Sequence, residues 1–483
     1  MHTDNYAEIY GNKVVGALPL FIMLAGILIC AFTGNRSPIC YWSAGFVALA
    51  AGFLIYKDKN VFSEAVINAM GDKVLCTVIF AWLFSGIMAK ILAAGELASG
   101  LVWLTSVIKM PAFLIPLITF LVGAIMATAT GTSMGTIAAM TPLMVPVAGA
   151  FGCNIALTCG AVVSGAAFGD NLAPVSDTTI ASALTQETEI GRVVKSRLKY
   201  SLTGAAISSV LYVILGLLTS DRMIATTVTA DASAASSLIF MAIPVLVVIL
   251  MLRQASIVSA LLVGDSAGIF LLFITGKINF EGFVGKEGII ATGISGMINV
   301  ILFTWFIFVV AGIVKKAGSM DALIEWLGSK ATSAGSAEIV CMLINIVTVF
   351  CIVSSSASCA LCGPINRQIM RPYHVARDRT ANMIDGLSVG ICGMLPYGPM
   401  GLSALTLAIA TGSVPETFSI SQILMYNFHC MALIALFIFA AISGWGRTFE
   451  TDEMLAAEGI FIEPEISVPI PSGAKLSKYE FKK

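Results

Sequence analysis

Residues 164–179 read Ser164-Gly165-Ala166-Ala167-Phe168-Gly169-Asp170-Asn171-Leu172-Ala173-Pro174-Val175-Ser176-Asp177-Thr178-Thr179, in the middle of an apolar span that starts near residue 155. Pro174 has no N–H to give a helix, and Gly169, Asn171 and Ser176 are poor helix formers, so the helix is expected to unwind here. Unwound backbone at membrane depth survives only where it lines a cavity or is buried in protein. The freed carbonyls, with Asp170, Asn171, Ser176, Asp177 and Thr178, form an all-oxygen donor set suited to a hard cation such as Na⁺ or Li⁺. A carboxylate at the centre of a membrane helix costs roughly 2.5–3.5 kcal/mol, and Asp170 and Asp177 lie in one span. A bound cation or a shared proton would offset that cost. Two close carboxylates do not both ionise cheaply, so a proton can compete with a metal ion for the same oxygens. Capping of two half-helices is the plainer use of these aspartates, with Asp177 placed as an N-cap before Thr178-Thr179.

The surroundings of this stretch place it in a bilayer. The 483 residues are 58% hydrophobic and 11% charged, with a mean hydropathy of +0.93, too little polar surface to coat a soluble globule of this size. A net charge of -1 without Lys/Arg blocks excludes the electrostatic footprint of nucleic-acid binding. The 11 cysteines stand singly in apolar runs or as Cys359-Ala-Leu-Cys362 without a nearby second pair, which suits small buried hydrophobes better than a metal site. No cofactor is expected beyond transported Na⁺ and H⁺. No small-residue cleavage site follows the first apolar run, so that run is expected to remain as a membrane helix. The six tryptophans fall mostly at span ends, as in an interfacial belt.

Apolar spans start near 14, 40, 74, 155, 199, 238, 255, 294, 384 and 423. Two longer regions, 112–150 and 335–370, are interrupted by Thr130-Gly131-Thr132-Ser133 and Ser354-Ser355-Ser356-Ala357-Ser358. Each is expected to be a re-entrant hairpin, its tip presenting Thr132 and Ser133 or Ser356 to the protein interior. Sliding the sequence on itself by 223 residues matches Trp82 with Trp305, Trp103-Leu104 with Trp326-Leu327 and Ser133 with Ser356. After loss of one residue, at a shift of 222, Pro142 meets Pro364 and Pro174 meets Pro396. The expected fold is therefore an all-α polytopic membrane protein of two repeats, 14–219 and 237–441, each with about five transmembrane helices and one re-entrant hairpin. An odd number of spans inverts the second copy, and the broken helices then meet near the midplane. With residues 1–13 and 442–483 cytoplasmic and 220–236 an external linker, only six of the 27 basic residues fall outside, as the positive-inside rule requires.

The run from Ser164 to Thr179, with Thr130-Gly131-Thr132-Ser133-Met134-Gly135-Thr136, resembles the NhaC family of Na⁺/H⁺ antiporters. The resemblance implies cation/H⁺ exchange across a bacterial inner membrane, with Asp170 and Asp177 in the ion and proton site. The second half departs from the family pattern: in place of an Arg and a Glu-Asp pair followed by Gly-Thr stands Ala381-Asn382-Met383-Ile384-Asp385-Gly386-Leu387-Ser388, and Pro-Trp-Asn becomes Pro396-Tyr397-Gly398. Asp385 is the remaining second-half carboxylate candidate. Some relatives move organic anions with H⁺ and Na⁺, so a coupled carrier of a small organic acid or amino acid, malate- or lactate-like, is the alternative reading. The expected partners are membrane lipid, the transported cation and a small organic solute, with a homodimer through the outer spans by analogy. An enzyme is not expected: Phe168-Gly169-Asp170 resembles the Gly-x-Gly-Asp element of intramembrane aspartyl proteases, yet no Tyr-Asp dipeptide supplies the second acid. Asp265 is a further intramembrane carboxylate, while His374 and His429 read as interfacial histidines.

Overall fold

Apolar runs free of helix breakers become helices, and the breaks fall where the sequence places Pro, Gly and clustered Ser or Thr. The structure, a computed structural model, describes residues 6–32, 38–108, 111–174, 176–219, 232–253, 255–319, 322, 330–457, 470 and 474–477. In chain order the helices begin α1 (Leu18–Phe32), α2 (Trp42–Ile55), α3 (Lys59–Met70), α4 (Lys73–Ala94) and α5 (Leu97–Ile108). There follow α6 (Ile115–Thr130), α7 (Ser133–Ala150), α8 (Ile155–Leu172), α9 (Asp177–Thr185) and α10 (Ile190–Thr219). Then come α11 (Ala242–Leu252), α12 (Ile257–Ile274), α13 (Phe280–Val284), α14 (Ile289–Ser295), α15 (Ile298–Lys316), α16 (Ala334–Ile352) and α17 (Ser355–Met370). Last are α18 (Arg377–Met394), α19 (Pro399–Ala410), α20 (Ile420–Leu424), α21 (Phe428–Ser443) and α22 (Asp452–Ala457). Among the described residues eight helical segments are long and apolar enough to cross a membrane, so the chain is a multi-pass, all-α membrane protein.

Both expected interruptions are helix–turn–helix corners. Helix α6 stops at Gly131 in the left-handed region (φ 67°), and the Thr132 hydroxyl accepts the Gly135 N–H at 3.2 Å to start α7. The second turn uses Val353 in the same conformation (φ 59°), followed by Ser354, whose hydroxyl accepts the Ala357 N–H at 3.4 Å. The expected break at Pro174 separates α8 from α9, with Ala173 and Ser176 in extended conformation. A matching break around Pro396 separates α18 from α19, with Leu395 and Gly398 extended. The bounds keep one register: 133 and 355, 155 and 377, 172 and 394, and 177 and 399 each differ by 222.

Small residues bring these elements together. Gly165 and Gly169 stack one turn apart on α8, where an added Cβ would stand 2.4 Å from the Phe120 carbonyl oxygen and 2.3 Å from that of Ala124 on α6. The two backbones touch, a small-xxx-small contact. The packing between halves is reciprocal: α7 lies on α19, and α17 lies on α9. Helix α10 packs against α8, α18 and α21.

Several expectations need correction. The spans expected from 199 and 384 begin earlier, at Ile190 and Arg377, so Arg192, Lys195, Arg197, Arg377 and Arg379 are helical rather than loop residues. Arg197 and Arg379 are buried, because Asp385 and Glu338 neutralise them inside the protein. Ser176, not Asp177, caps α9, its hydroxyl accepting the Thr178 N–H at 3.3 Å. Trp82 is no belt residue: it is fully buried and donates its Nε1–H to Ser403. His374 and His429 are buried as well, the latter with its ring packed on Phe168. In the tail, Phe449 donates to the Lys475 carbonyl (3.0 Å) and accepts from Ser477 (2.8 Å). Most of the expected linker, and Pro464, Pro469 and Pro471, lie outside the described residues.

Candidate ion-binding site

The hairpin tips and helix breaks close around a cavity of about 190 Å³. From the first half come Thr132, Ser133, Asp170, Ser176, Asp177 and Thr178, and from the second Ser354, Ser355, Ser356, Cys392 and Pro399. Asp170 is 5% exposed and lies beside the Ser176 hydroxyl and the hydroxyl and backbone N–H of Ser133. Asp177 occupies the first turn of α9 and is exposed. Seven of the nine sequence-selected residues thus share one cavity lined by carboxylate and hydroxyl oxygens, which is the chemistry a hard cation takes. Each hairpin starts its returning helix here, so backbone N–H groups also face the cavity.

The other two, Asn171 and Asp385, sit behind the cavity wall in a network that the sequence alone did not reveal. The Asp385 carboxylate is fully buried and accepts from Asn171 Nδ2 at 3.2 Å, from Thr179 Oγ1 at 3.1 Å and from the guanidinium of Arg197. Arg197, also fully buried, donates to Thr179 Oγ1 (2.8 Å), Asn382 Oδ1 (3.1 Å) and the Asn171 carbonyl, while Ser201 donates to Asn171 Oδ1 (2.6 Å). Desolvating two charges is tolerated only when such hydrogen bonds fill the remaining lone pairs and protons. The network joins the α8–α9 break to α18 and α10, across the two halves. A signal for Arg197 does exist in the sequence: Arg197, Ser201, Gly204, Ser208 and Tyr212 recur at three- and four-residue intervals, and all five are buried on α10. Asp265, on α12, is buried with neither carboxylate oxygen hydrogen-bonded among the described residues, and it does not line this cavity.

A family profile described as "Na+/H+ antiporter family" matches residues 9–217, the half that supplies Asp170 and Asp177. Over that half the chain is similar to this family. Relatives extend the match beyond the first half. A Na(+)/H(+) antiporter NhaC of Alkalihalophilus pseudofirmus is 24% identical over 80% of this chain and 83% of its own length. A malate-2H(+)/Na(+)-lactate antiporter of Bacillus subtilis is 25% identical over 69% of this chain and 76% of its own. The NhaC of the same species is 25% identical over 68% and 78%. These relatives are antiporters by name, and the resemblance drawn from Ser164–Thr179 holds.

Proposed function

We propose that the protein exchanges Na⁺ or Li⁺ for H⁺ across a bacterial inner membrane by alternating access, with Asp170 as the group that binds cation and proton in turn. The observation that carries the reading is the placement of a nearly buried carboxylate between two hydroxyl-bearing helix starts, at Ser133 and Ser176, in a cavity bounded by four backbone breaks. When Na⁺ enters, Asp170 and the Ser133 and Ser176 hydroxyls replace part of its hydration shell. When the proton enters, it neutralises the same carboxylate, and the cation loses its main counter-charge. One site serves both ions in sequence, which is what exchange requires. Asp385 is a poor competitor for the cation because Arg197 already neutralises it.

The 222-residue register of the breaks and the reciprocal packing of α7 on α19 and α17 on α9 support two repeats of opposite membrane orientation, and the distribution of basic residues in the sequence favours cytoplasmic termini. Opposed hairpins would then let each side reach the site alternately. A second reading, co-transport of a small organic acid, is favoured by the cavity's 190 Å³, which exceeds what a bare cation fills, and by N–H groups able to meet a carboxylate. The relative named for malate and lactate fits that reading too.

The test is a pH-gradient assay in proteoliposomes. Na⁺ or Li⁺ alone should collapse an imposed gradient, and Asp170→Asn should abolish the response. A response that needs an organic acid in addition would replace simple exchange by the second reading, and one that survives Asp170→Asn would remove Asp170 from the mechanism.

A further inference from the structure

A larger cavity, about 480 Å³, opens where α10 and α18 begin and where the C-terminal segment crosses them. Its charged lining is one-sided: Arg192, Lys195, Lys199, Arg379 and Lys475 face a single acid, Asp378. The two arginines are already engaged. Arg192 pairs with Glu189 at 3.5 Å, and the guanidinium of Arg379 is held by Glu338 at 3.0 and 3.3 Å. The lysines are different. Lys199 donates to the Gly446 carbonyl at 3.1 Å, and among the described residues Lys195, Lys199 and Lys475 form no ion pair with a carboxylate.

We propose that this cavity binds an anion carrying two or more phosphate charges, held chiefly by Lys195, Lys199 and Lys475. Ammonium groups act as compact point charges with rotatable donors, and three of them around one hollow suit a dense, multiply charged group better than a single planar carboxylate. The volume is more than twice that of the ion cavity, so a diphosphate or a phospholipid headgroup fits where one inorganic phosphate would leave space. Lys475 reaches the rim because Lys475–Ser477 pairs with Phe449 through two backbone bonds, so the tail supplies one wall of the site. The floor leads toward the transport site. Asn382 lines the cavity, its amide nitrogen donates to Ser196, and its oxygen accepts from Arg197 Nε at 3.1 Å. Arg197 in turn holds Asp385 and the carbonyl of Asn171, next in sequence to Asp170. An anion seated here is two side chains away from the α8–α9 break.

The experiment uses the full chain, purified in a neutral detergent, with thermal unfolding followed at constant ionic strength in choline chloride. Pyrophosphate is the soluble probe, and mixed micelles carrying cardiolipin are the lipid probe. One or both should raise the melting temperature saturably; pyrophosphate alone indicates a soluble ligand, cardiolipin alone a headgroup site. The triple variant Lys195→Gln/Lys199→Gln/Lys475→Gln should weaken the apparent affinity by at least about tenfold. In liposomes of phosphatidylcholine without phosphate additives, its Na⁺-driven collapse of a pH gradient should match wild type. If the triple variant unfolds early without any probe, Lys475→Gln alone serves, since Lys475 lies outside the helices. Absence of stabilisation by either probe beyond matched choline chloride overturns the proposal, as does wild-type affinity in the lysine variants.

Discussion

Replacing Asp385 by Asn removes one charge from a pair in which both side chains have zero exposure. The variant leaves the Arg197 guanidinium without its counter-charge inside the protein. Breaking a buried pair in this way costs about 3–5 kcal/mol, a large part of a domain stability of roughly 5–15 kcal/mol. The new amide recovers little of it. The Asp385 carboxylate accepts three donors, from Asn171, Thr179 and Arg197, and an Asn side chain turns one accepting oxygen into a donor that must face another donor. Arg197→Met leaves the opposite charge unpaired and should cost a similar amount. The double variant buries no charge, so the two changes should couple with a sign that makes the pair less damaging than the sum of the singles, by about 2–3 kcal/mol. The assay is denaturant or thermal unfolding of the purified protein, read for all four members of the cycle. Strict additivity, with the double variant falling by the sum of the two singles, would refute the argument that these residues act as one neutral unit. A transport readout adds a second check: in folded Asp385→Asn protein the unpaired Arg197 charge, held on the Asn171 carbonyl next to Asp170, should weaken the apparent Na⁺ affinity, and the Arg197→Met partner change should restore it.

Three further outcomes follow from the same geometry. Ser133→Ala removes a hydroxyl beside the Asp170 carboxylate and should raise the Na⁺ concentration for half-maximal gradient collapse by about tenfold, as expected for one hydrogen bond to a charged group. Gly169→Ala pushes a methyl to 2.3 Å from the Ala124 carbonyl oxygen, so α6 and α8 must separate; unfolding measurements should show a loss of about 1–3 kcal/mol or more. At Val353, which is 1% exposed with φ at 59°, Gly should be more stable than Ala by about 1 kcal/mol, the reverse of their order inside a helix. Paired melting curves of the two variants decide that order.

The sequence made the broken helices legible because backbone breaks have local causes. Pro174 lacks a donor and Gly131 permits the left-handed turn, and both act through their own residues; Pro396 could be placed by its register with Pro174. Asp170 was legible for a related reason, since a carboxylate in an apolar run declares its cost wherever it ends up. Val353 was not: a β-branched residue is a poor left-handed former, and only tertiary packing holds it there, which makes the tip a place where the fold stores strain beside the ion site. Arg197 and Arg379 were misplaced for a deeper physical reason. Charge counting near a span end assumes that each arginine solvates itself in water, yet Asp385 lies 188 residues from Arg197, and Glu338 lies 41 from Arg379. For Arg197 the one local hint is its place on the stripe of small and polar residues that runs to Tyr212, and that hint does not name the acid it meets. The consequence for function is specific. Once Arg197 is seen to neutralise Asp385, that acid ceases to be a free second-half candidate, and on the proposed reading the ion-binding charge concentrates on the first half at Asp170, with the second half contributing serine hydroxyls and the Arg197 network beside the break.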